Sequence, residues 1–550
     1  MPVRSALTTF AAALALAGTV PAFADEPETP PAAEPPALVV AISVDQLSAD
    51  LFAQYRQHFT GGLARLASGA VFGSGFQSHA ATETCPGHST ILTGTRPARN
   101  GIVANTWLDP SSDRKDKRIY CAEDESDPRS SLYKPVVSAA HLKVPTLGTW
   151  LKRANAKSRN VAVAGKDRSA MMMGGHDLDA AYWWDSKAFA TFDGRALPSH
   201  VEKLNAQIAA RVAAGEPAYA VPAWCEAVNH AVPVGDFTVG TYRFPMAAGE
   251  GGAFAGSPRA DAATAEIAIA LLDEHRLGED DAPDVLSLGF SGTDYIGHAW
   301  GHEGVEMCIQ LATLDQTIGK LFDALDQRGI DYVAVLTADH GGLDTPERLA
   351  QQGFPEATRV SGLPSPEEIA AQVTAQTGIS AGDEPLLYGE GPELYVNAGI
   401  TGEDRARVAA AAADIVRGHR QVEAVFTRAD LFAAPLPTAS PQDWTLAERA
   451  RASFDPVRSP DVLGMLKRGV IPFPARKGLT TTHGSPWDYD RRVPIAFWRK
   501  GLTPMEQPVP VETVDIAPTL AALLGLTLPD GTFDGRCLDI AAGPHDICRR

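Results

Sequence analysis

The sequence predicts an α/β fold in which a mainly parallel central sheet carries helices on both faces, with large insertions over the active face. Three observations predict it. Four apolar runs, at Leu38–Val44, Asn160–Gly165, Asp284–Phe290 and Tyr332–Thr337, have the continuous hydrophobicity of strands buried on both sides. Helical patterns lie between these runs, and strands alternating with helices build parallel sheets covered on both faces. Each run also leads into charged or imidazole side chains, and ligands of open α/β sheets bind beyond the carboxyl ends of the strands.

Taken in order, residues 1–24 read as an export signal. Arg4 supplies the positive end, Ala6 to Val20 the apolar core and Ala22-Phe-Ala24 the small-residue cleavage site. The run is too short to span a bilayer comfortably and no cysteine follows it, so no stable membrane anchor is expected. Residues 25–37, DEPETPPAAEPPA, are rich in Pro and acid and read as a disordered leader. Residues 38–550 read as a single domain. Ser48–Ser68 is expected to be a helix with Leu51, Phe52, Tyr55, Phe59, Leu63 and Leu66 on one face, and Ala70–Gln77 a short strand. Helices are expected at Thr146–Ala156, Ala260–His275, Gly304–Arg328, Arg405–Arg417 and Val514–Leu524, and a strand at Val493–Phe497. The stretches at about 169–256 and 343–473 break the alternation and read as insertions, the second with short strands around Leu394–Val396 and Val422–Phe426.

A net charge of −19 argues against sequence-independent binding of nucleic acid. If the ligand is an anion, local cations must attract it. Six cysteines in an exported chain point to disulfides and to a periplasmic or secreted location. Fifteen pairings are open, of which Cys537 with Cys548 is the most local. No zinc-type cysteine spacing occurs.

The chemistry gathers around His79-Ala-Ala-Thr-Glu-Thr-Cys-Pro-Gly-His88. Pro86 suits the first turn of a helix, which puts the Thr84 hydroxyl at an N-terminus where free N–H groups and the macrodipole favour anions. Taken alone, Thr84 reads as a helix cap. The strand ends change that reading: Asp45, Lys166/Arg168, Asp294/His298 and Asp339/His340 all fall on one sheet edge. His and carboxylate ligands suit zinc, and two metals roughly 4 Å apart stabilise both the attacking and the leaving oxygen of phosphoryl transfer.

Thr84-Cys-Pro-Gly-His88, Asp294-x-x-x-His298, Ala338-Asp-His-Gly-Gly342 and Thr482-His-Gly484, in this order after Asp45, resemble the alkaline phosphatase superfamily. Asn105 followed by Lys166-Asp-Arg168 resembles its periplasmic threonine-nucleophile branch of sphingomonad and flavobacterial type. The resemblance runs from Leu38 to about Leu524. It implies two zinc ions per chain, one on Asp294, His298 and His483, the other on Asp45, Asp339, His340 and the Thr84 hydroxyl. It also implies a phosphothreonine intermediate at Thr84, with Asn105, Lys166 and Arg168 on the phosphoryl oxygens of a phosphate monoester. Neither the arginine that closely follows the nucleophile in serine-type members nor their magnesium site is visible in the Thr84 motif, so the resemblance does not extend to magnesium. A nucleotide pyrophosphatase/phosphodiesterase shares this core and is the alternative activity; a sulfatase lacks support because Cys85-Pro-Gly-His88 is not the C/S-x-P-x-R context. A non-catalytic binding protein on the same metal fold is the alternative of another class. His79, His88 and His302 are expected to orient or pack, Trp183 and Trp184 to pack, and Glu303 and Glu306 to belong to a helix start.

Overall fold

The computed structural model describes Met1, residues 34–541 and residues 546–548. The expected export signal, Met1 apart, and the leader up to residue 33 lie outside the described residues. The leader's last residue belongs to the fold instead: Ala37 N donates to Asp331 O at 2.9 Å, and Asp284 N donates to Ala37 O at 3.0 Å. Pro35–Arg550 forms one compact unit.

Ten strands make the central sheet: β1 (Leu38–Val44), β2 (Ala70–Phe76), β3 (Asn160–Ala164), β4 (Ala180–Asp185), β5 (Ala188–Ala190), β6 (Asp284–Phe290), β7 (Tyr332–Thr337), β8 (Arg492–Arg499), β9 (Met505–Gln507) and β10 (Val511–Glu512). Their order is β9-β2-β8-β7-β1-β6-β3-β4-β5, with β10 also on β2. The run β7-β1-β6-β3-β4 is parallel throughout. β8 is antiparallel to both β7 and β2, and β5 to β4.

β1 shows why the apolar runs form buried strands. Alternate side chains point to opposite faces. Val40, Ile42 and Val44 enter one core with Leu311, Leu314 and Ile318 of the helix Val305–Arg328. Val39 and Ala41 enter the other, with Ile516 and Leu520 of the helix Ile516–Leu523. A strand with no wet face has to be apolar at every position, and β1 is buried along its whole length.

Two expectations change. The helix over Ser48–Ser68 is broken into Ala49–Tyr55, a short 3-10 turn and Gly62–Ala67. The cause is remote: Asp315 accepts from Thr60 N and Gly61 N on Oδ2 (2.9 and 2.7 Å) and from Leu63 N on Oδ1 (2.9 Å), which caps a second helix. The stretch 169–256 is in part core, because β4 extends the parallel sheet beside β3 and Trp183 and Trp184 pack within it. The stretch 343–473 builds its own antiparallel sheet from Leu387–Glu390, Glu393–Val396, Val462–Leu466 and Val422–Thr427, with the helices Pro366–Thr377 and Gly402–Arg417 packed on one side.

All six cysteines are paired, as Cys85–Cys121, Cys225–Cys308 and Cys537–Cys548. The local pair matches the expectation; the other two depend on the fold. Among the described residues, no helix is long and apolar enough to cross a membrane.

Candidate active site

Four adjacent parallel strands, β7, β1, β6 and β3, end at one edge and deliver Asp339/His340, Asp45, Asp294 and Lys166 to it. The chain turns sharply after Asp45. Gln46 sits at φ 67°, a left-handed conformation that costs a non-glycine residue of order 1–3 kcal/mol. That turn aims Gln46 N at Asp339 Oδ1 (3.0 Å), which also takes His340 N at 2.9 Å. Asp294 lies in the first turn of the helix Gly292–Trp300, with His298 one turn further on the same face.

Three histidines spend one ring nitrogen in the same way. Nδ1 of His298, His340 and His483 lies 2.9, 2.8 and 2.8 Å from the carbonyls of Thr481, Gly341 and Thr82. A carbonyl only accepts, so each Nδ1 carries the proton and each Nε2 presents a lone pair. Those lone pairs face carboxylates. His298 Nε2 is 3.3 Å and His483 Nε2 3.5 Å from Asp294 Oδ1. His340 Nε2 is 3.3 Å from Asp339 Oδ2 and 3.5 Å from Asp45 Oδ1. Asp45 Oδ1, Asp294 Oδ1, Asp339 Oδ2 and His340 Nε2 are buried without a hydrogen-bond partner. Acceptors facing acceptors at this range need a cation between them, and imidazole with carboxylate is a donor set for zinc. The residues present fit the group.

The ligand atoms of Asp294, His298 and His483 lie within 4.8 Å of one another, and so do those of Asp45, Asp294 and His340. Asp294 therefore belongs to both trios. Asp339, expected in the second set, approaches that set through His340. Charge competition follows. Burial and the neighbouring Asp294 and Asp339 carboxylates push Asp45 well above the usual carboxylate range. Burial also works to raise Asp294, but the Lys166 ammonium outweighs it and holds it well below.

Thr84 is the first residue of the helix Thr84–Thr93, with Glu83 at the N-cap and no side-chain cap bond. Its hydroxyl is buried and has no partner, so capping does not account for it. The helix end itself is less open than expected. Cys85 N donates to Asn105 Oδ1 at 2.7 Å, Pro86 has no N–H, and Gly87 N is bonded to Glu83 O. Asn105 N in turn donates to Glu83 Oε2 at 2.7 Å, and Asn105 O accepts from Cys121 N at 3.0 Å. With Oδ1 engaged, Asn105 is left with Nδ2 as its donor. The Cys85–Cys121 disulfide ties the same segment to the helix start.

Lys166 and Arg168 reach the edge from the start of a helix rather than from the strand itself. β3 stops at Ala164, Lys166 is the N-cap of the helix Asp167–Gly174, and Arg168 lies in its first turn. The Lys166 ammonium is buried, 2.5 Å from both Asp45 Oδ2 and Asp294 Oδ2, and 5.2 Å from the Tyr295 ring centre. Burial opposes its charge, but Asp294 and Asp45 raise its pKa above the usual lysine value. Burial also opposes Arg168, which Tyr120, Tyr295, Asp167 and Asp45 hold charged. Its Nε has no partner.

His88 Nδ1 lies 2.9 Å from Thr84 O and 3.1 Å from Asp339 Oδ2, linking the Thr84 helix to that carboxylate. His79 and His302 are buried, and burial lowers both to about 3, so they pack as neutral rings. Glu306 does more than begin a helix: its Oε1 accepts from Gly240 N and Tyr242 N at 2.9 and 2.8 Å. Sequence reasoning missed Glu83, Tyr295 and Asp490. Glu83 adjoins Thr84 and was within reach of a motif reading. Asp490 holds the His483 loop by accepting from Ser485 N and Oγ (2.8 and 2.6 Å), a link no local pattern reveals.

Residues 39–486 match the family model described as type I phosphodiesterase / nucleotide pyrophosphatase. The chain is 50% identical over 523 residues to alkaline phosphatase PhoK of Sphingomonas sp, covering 94% of this chain and 93% of that protein. It is 46% identical over 519 residues to alkaline phosphatase PhoD of Zymomonas mobilis, covering 93% and 89%. The crystal structure of alkaline phosphatase PafA has the same fold, with a TM-score of 0.80 at 24% identity over 93% of this chain and 100% of that one.

Proposed function

The chain belongs to the type I phosphodiesterase / nucleotide pyrophosphatase family of the alkaline phosphatase superfamily, and on that premise we propose how its site hydrolyses phosphate monoesters. The protein is an alkaline phosphatase, and Thr84 is its nucleophile. The Thr84 hydroxyl oxygen attacks phosphorus in line, the ester's alcohol departs, and water then hydrolyses the phosphothreonine. Asn105 Nδ2, Lys166 and Arg168 bind the non-bridging oxygens. Arg168 offers a fork and Lys166 a point charge, released from Asp45 and Asp294 once those carboxylates act as ligands. Asp294, His298 and His483 would hold one zinc ion, and Asp45, Asp339, His340 and Thr84 a second. Bound there, the ions supply Lewis-acid charge to the attacking and leaving oxygens. His88 orients Asp339, and Asp490 orients the His483 loop.

The observation that carries this reading is the unpartnered, buried Thr84 hydroxyl on a helix that reaches Asp339 through His88, beside acceptor atoms that face one another. Three disulfides and the apolar-cored N-terminus support a periplasmic or secreted location. The test is turnover of an aryl phosphate and its methyl diester by protein of measured zinc content. About two zinc ions per chain, monoester preference and label trapped on Thr84 are expected. Thr84→Ala should lose nearly all turnover and keep zinc, while Thr84→Ser keeps substantial activity. Full activity in metal-free protein, or label on another residue, overturns the reading.

A further inference from the structure

The antiparallel sheet of residues 343–473 has two faces, and its own core occupies one. Leu394, Val396 and Val462 pack there with Val408, Ala412 and Val416 of the helix Gly402–Arg417. Side chains alternate along a strand, and Glu393 stands directly opposite Leu463 in the ladder. Glu393, Tyr395, Leu463 and Met465 therefore share the other face, which forms one wall of a cavity of about 460 Å³. Glu83 and His483 also line this cavity, so it opens onto the reaction site itself. Its size matches small-molecule pockets, which run to several hundred Å³.

Glu393 is the anomaly on this face. Its carboxylate has no hydrogen-bond or ion-pair partner among the described residues. Its side chain is exposed and lines the cavity together with the Glu83 side chain. Carboxylates lining a cleft focus a negative field that draws a cationic group into it.

Building on the phosphatase reading, we propose that this cavity holds the alcohol part of the substrate, and that the preferred ester is that of an apolar alcohol carrying an amino group, which meets Glu393. The apolar body covers Tyr395, Leu463 and Met465, and the phosphoryl group reaches Thr84 past Glu83. Alcohols carrying further negative charge are rejected by Glu83 and Glu393 together.

The test is kcat/KM for ethyl, hexyl and 6-aminohexyl phosphate and for 6-phosphonooxyhexanoate, whose leaving alcohols have similar intrinsic reactivity. Each methylene buried in the cavity should raise kcat/KM about fourfold, so hexyl phosphate should exceed ethyl phosphate by at least tenfold. The amino ester should match or exceed the hexyl ester and exceed the carboxylate by at least tenfold. Leu463→Trp, which fills the cavity, should collapse the hexyl-to-ethyl ratio. Glu393→Gln should reduce the amino-to-carboxylate ratio severalfold while leaving the hexyl-to-ethyl ratio in place. A flat hexyl-to-ethyl ratio in the wild type, or an amino-to-carboxylate ratio untouched by Glu393→Gln, overturns the proposal and leaves the phosphatase reading standing. No turnover of any of these monoesters by zinc-loaded protein overturns both.

Discussion

Asn105 accepts the Cys85 amide hydrogen through Oδ1 at 2.7 Å, and this bond fixes the orientation of its amide. Backbone N–H only donates, so the oxygen must turn toward Cys85 and Nδ2 away from it. Replacing Asn105 by Ala removes one donor to the phosphoryl group and should cut kcat/KM about a hundredfold. Asn105→Asp keeps the bond to Cys85 but presents an anionic oxygen where Nδ2 stood. It should be worse than Ala, by at least about tenfold, because like charge then opposes the phosphoryl oxygens. Steady-state kinetics on one aryl phosphate decide it; an Asp variant as active as Ala would show that the amide does not face substrate.

Gly87 is required for a different reason. A Cβ there would lie 1.9 Å from Asp339 O, a backbone atom with nowhere to go. The Thr84 helix therefore rests directly on the Asp339 backbone. Gly87→Ala should displace the helix, lower the thermal midpoint by several degrees and reduce zinc content together with activity. Normal zinc content and normal melting in this variant would mean that the helix and Asp339 are not mechanically coupled.

Lys166 and Arg168 face the test of charge. A monoester dianion has one more negative charge than a diester, so Lys166→Ala and Arg168→Ala should each lower monoester kcat/KM far more than diester kcat/KM. Loss of one charge-assisted contact should cost roughly 2–4 kcal/mol, or about thirty- to a thousand-fold. Because Lys166 also pairs with Asp45 and Asp294, its variant should in addition change zinc affinity. Equal losses on both esters would assign the pair to structure.

Asp261 predicts a pH effect on stability. It is buried, accepts from Gly292 N at 3.0 Å and Gln310 Nε2 at 2.6 Å, and burial raises it from 3.8 to about 6. A raised carboxyl contributes stability fully below its unfolded value, and that contribution is lost as pH rises through about 6. The loss is at most about 3 kcal/mol. Asp261→Asn removes the titration, and the Gln310 amide can turn its unpartnered Oε1 toward the new donor. The variant should melt higher than wild type at pH 8, with the difference vanishing toward pH 4. A difference independent of pH would show that Asp261 titrates alike in the folded and unfolded protein, so that burial does not raise it.

The strand ends were legible because a strand buried on both faces has to be written in apolar residues, and the first polar residue after it marks the edge. β1, β6 and β7 match their expected bounds to the residue. The helix break before Gly62 was not legible. Its cause is Asp315, about 250 positions away, and local periodicity continues through the break. The pairing of Lys166 with Asp45 and Asp294 was hidden in the same way, since three separate strands meet there.

By itself the sequence determined the α/β class, the edge on which Asp45, Lys166, Asp294, Asp339 and His340 gather, and the helix that begins at Thr84. All of these follow from local hydrophobic periodicity and from turn chemistry. Tertiary structure alone decided that Asp294 is shared between two ligand trios, that Asn105 turns Oδ1 to Cys85 N, that Cys85 pairs with Cys121, and that Glu393 faces a cavity beside His483. Each of these is a contact between segments far apart in the chain. Such contacts depend on how the sheet orders its strands and how the residue 343–473 segment folds back over their ends, and no local pattern encodes either.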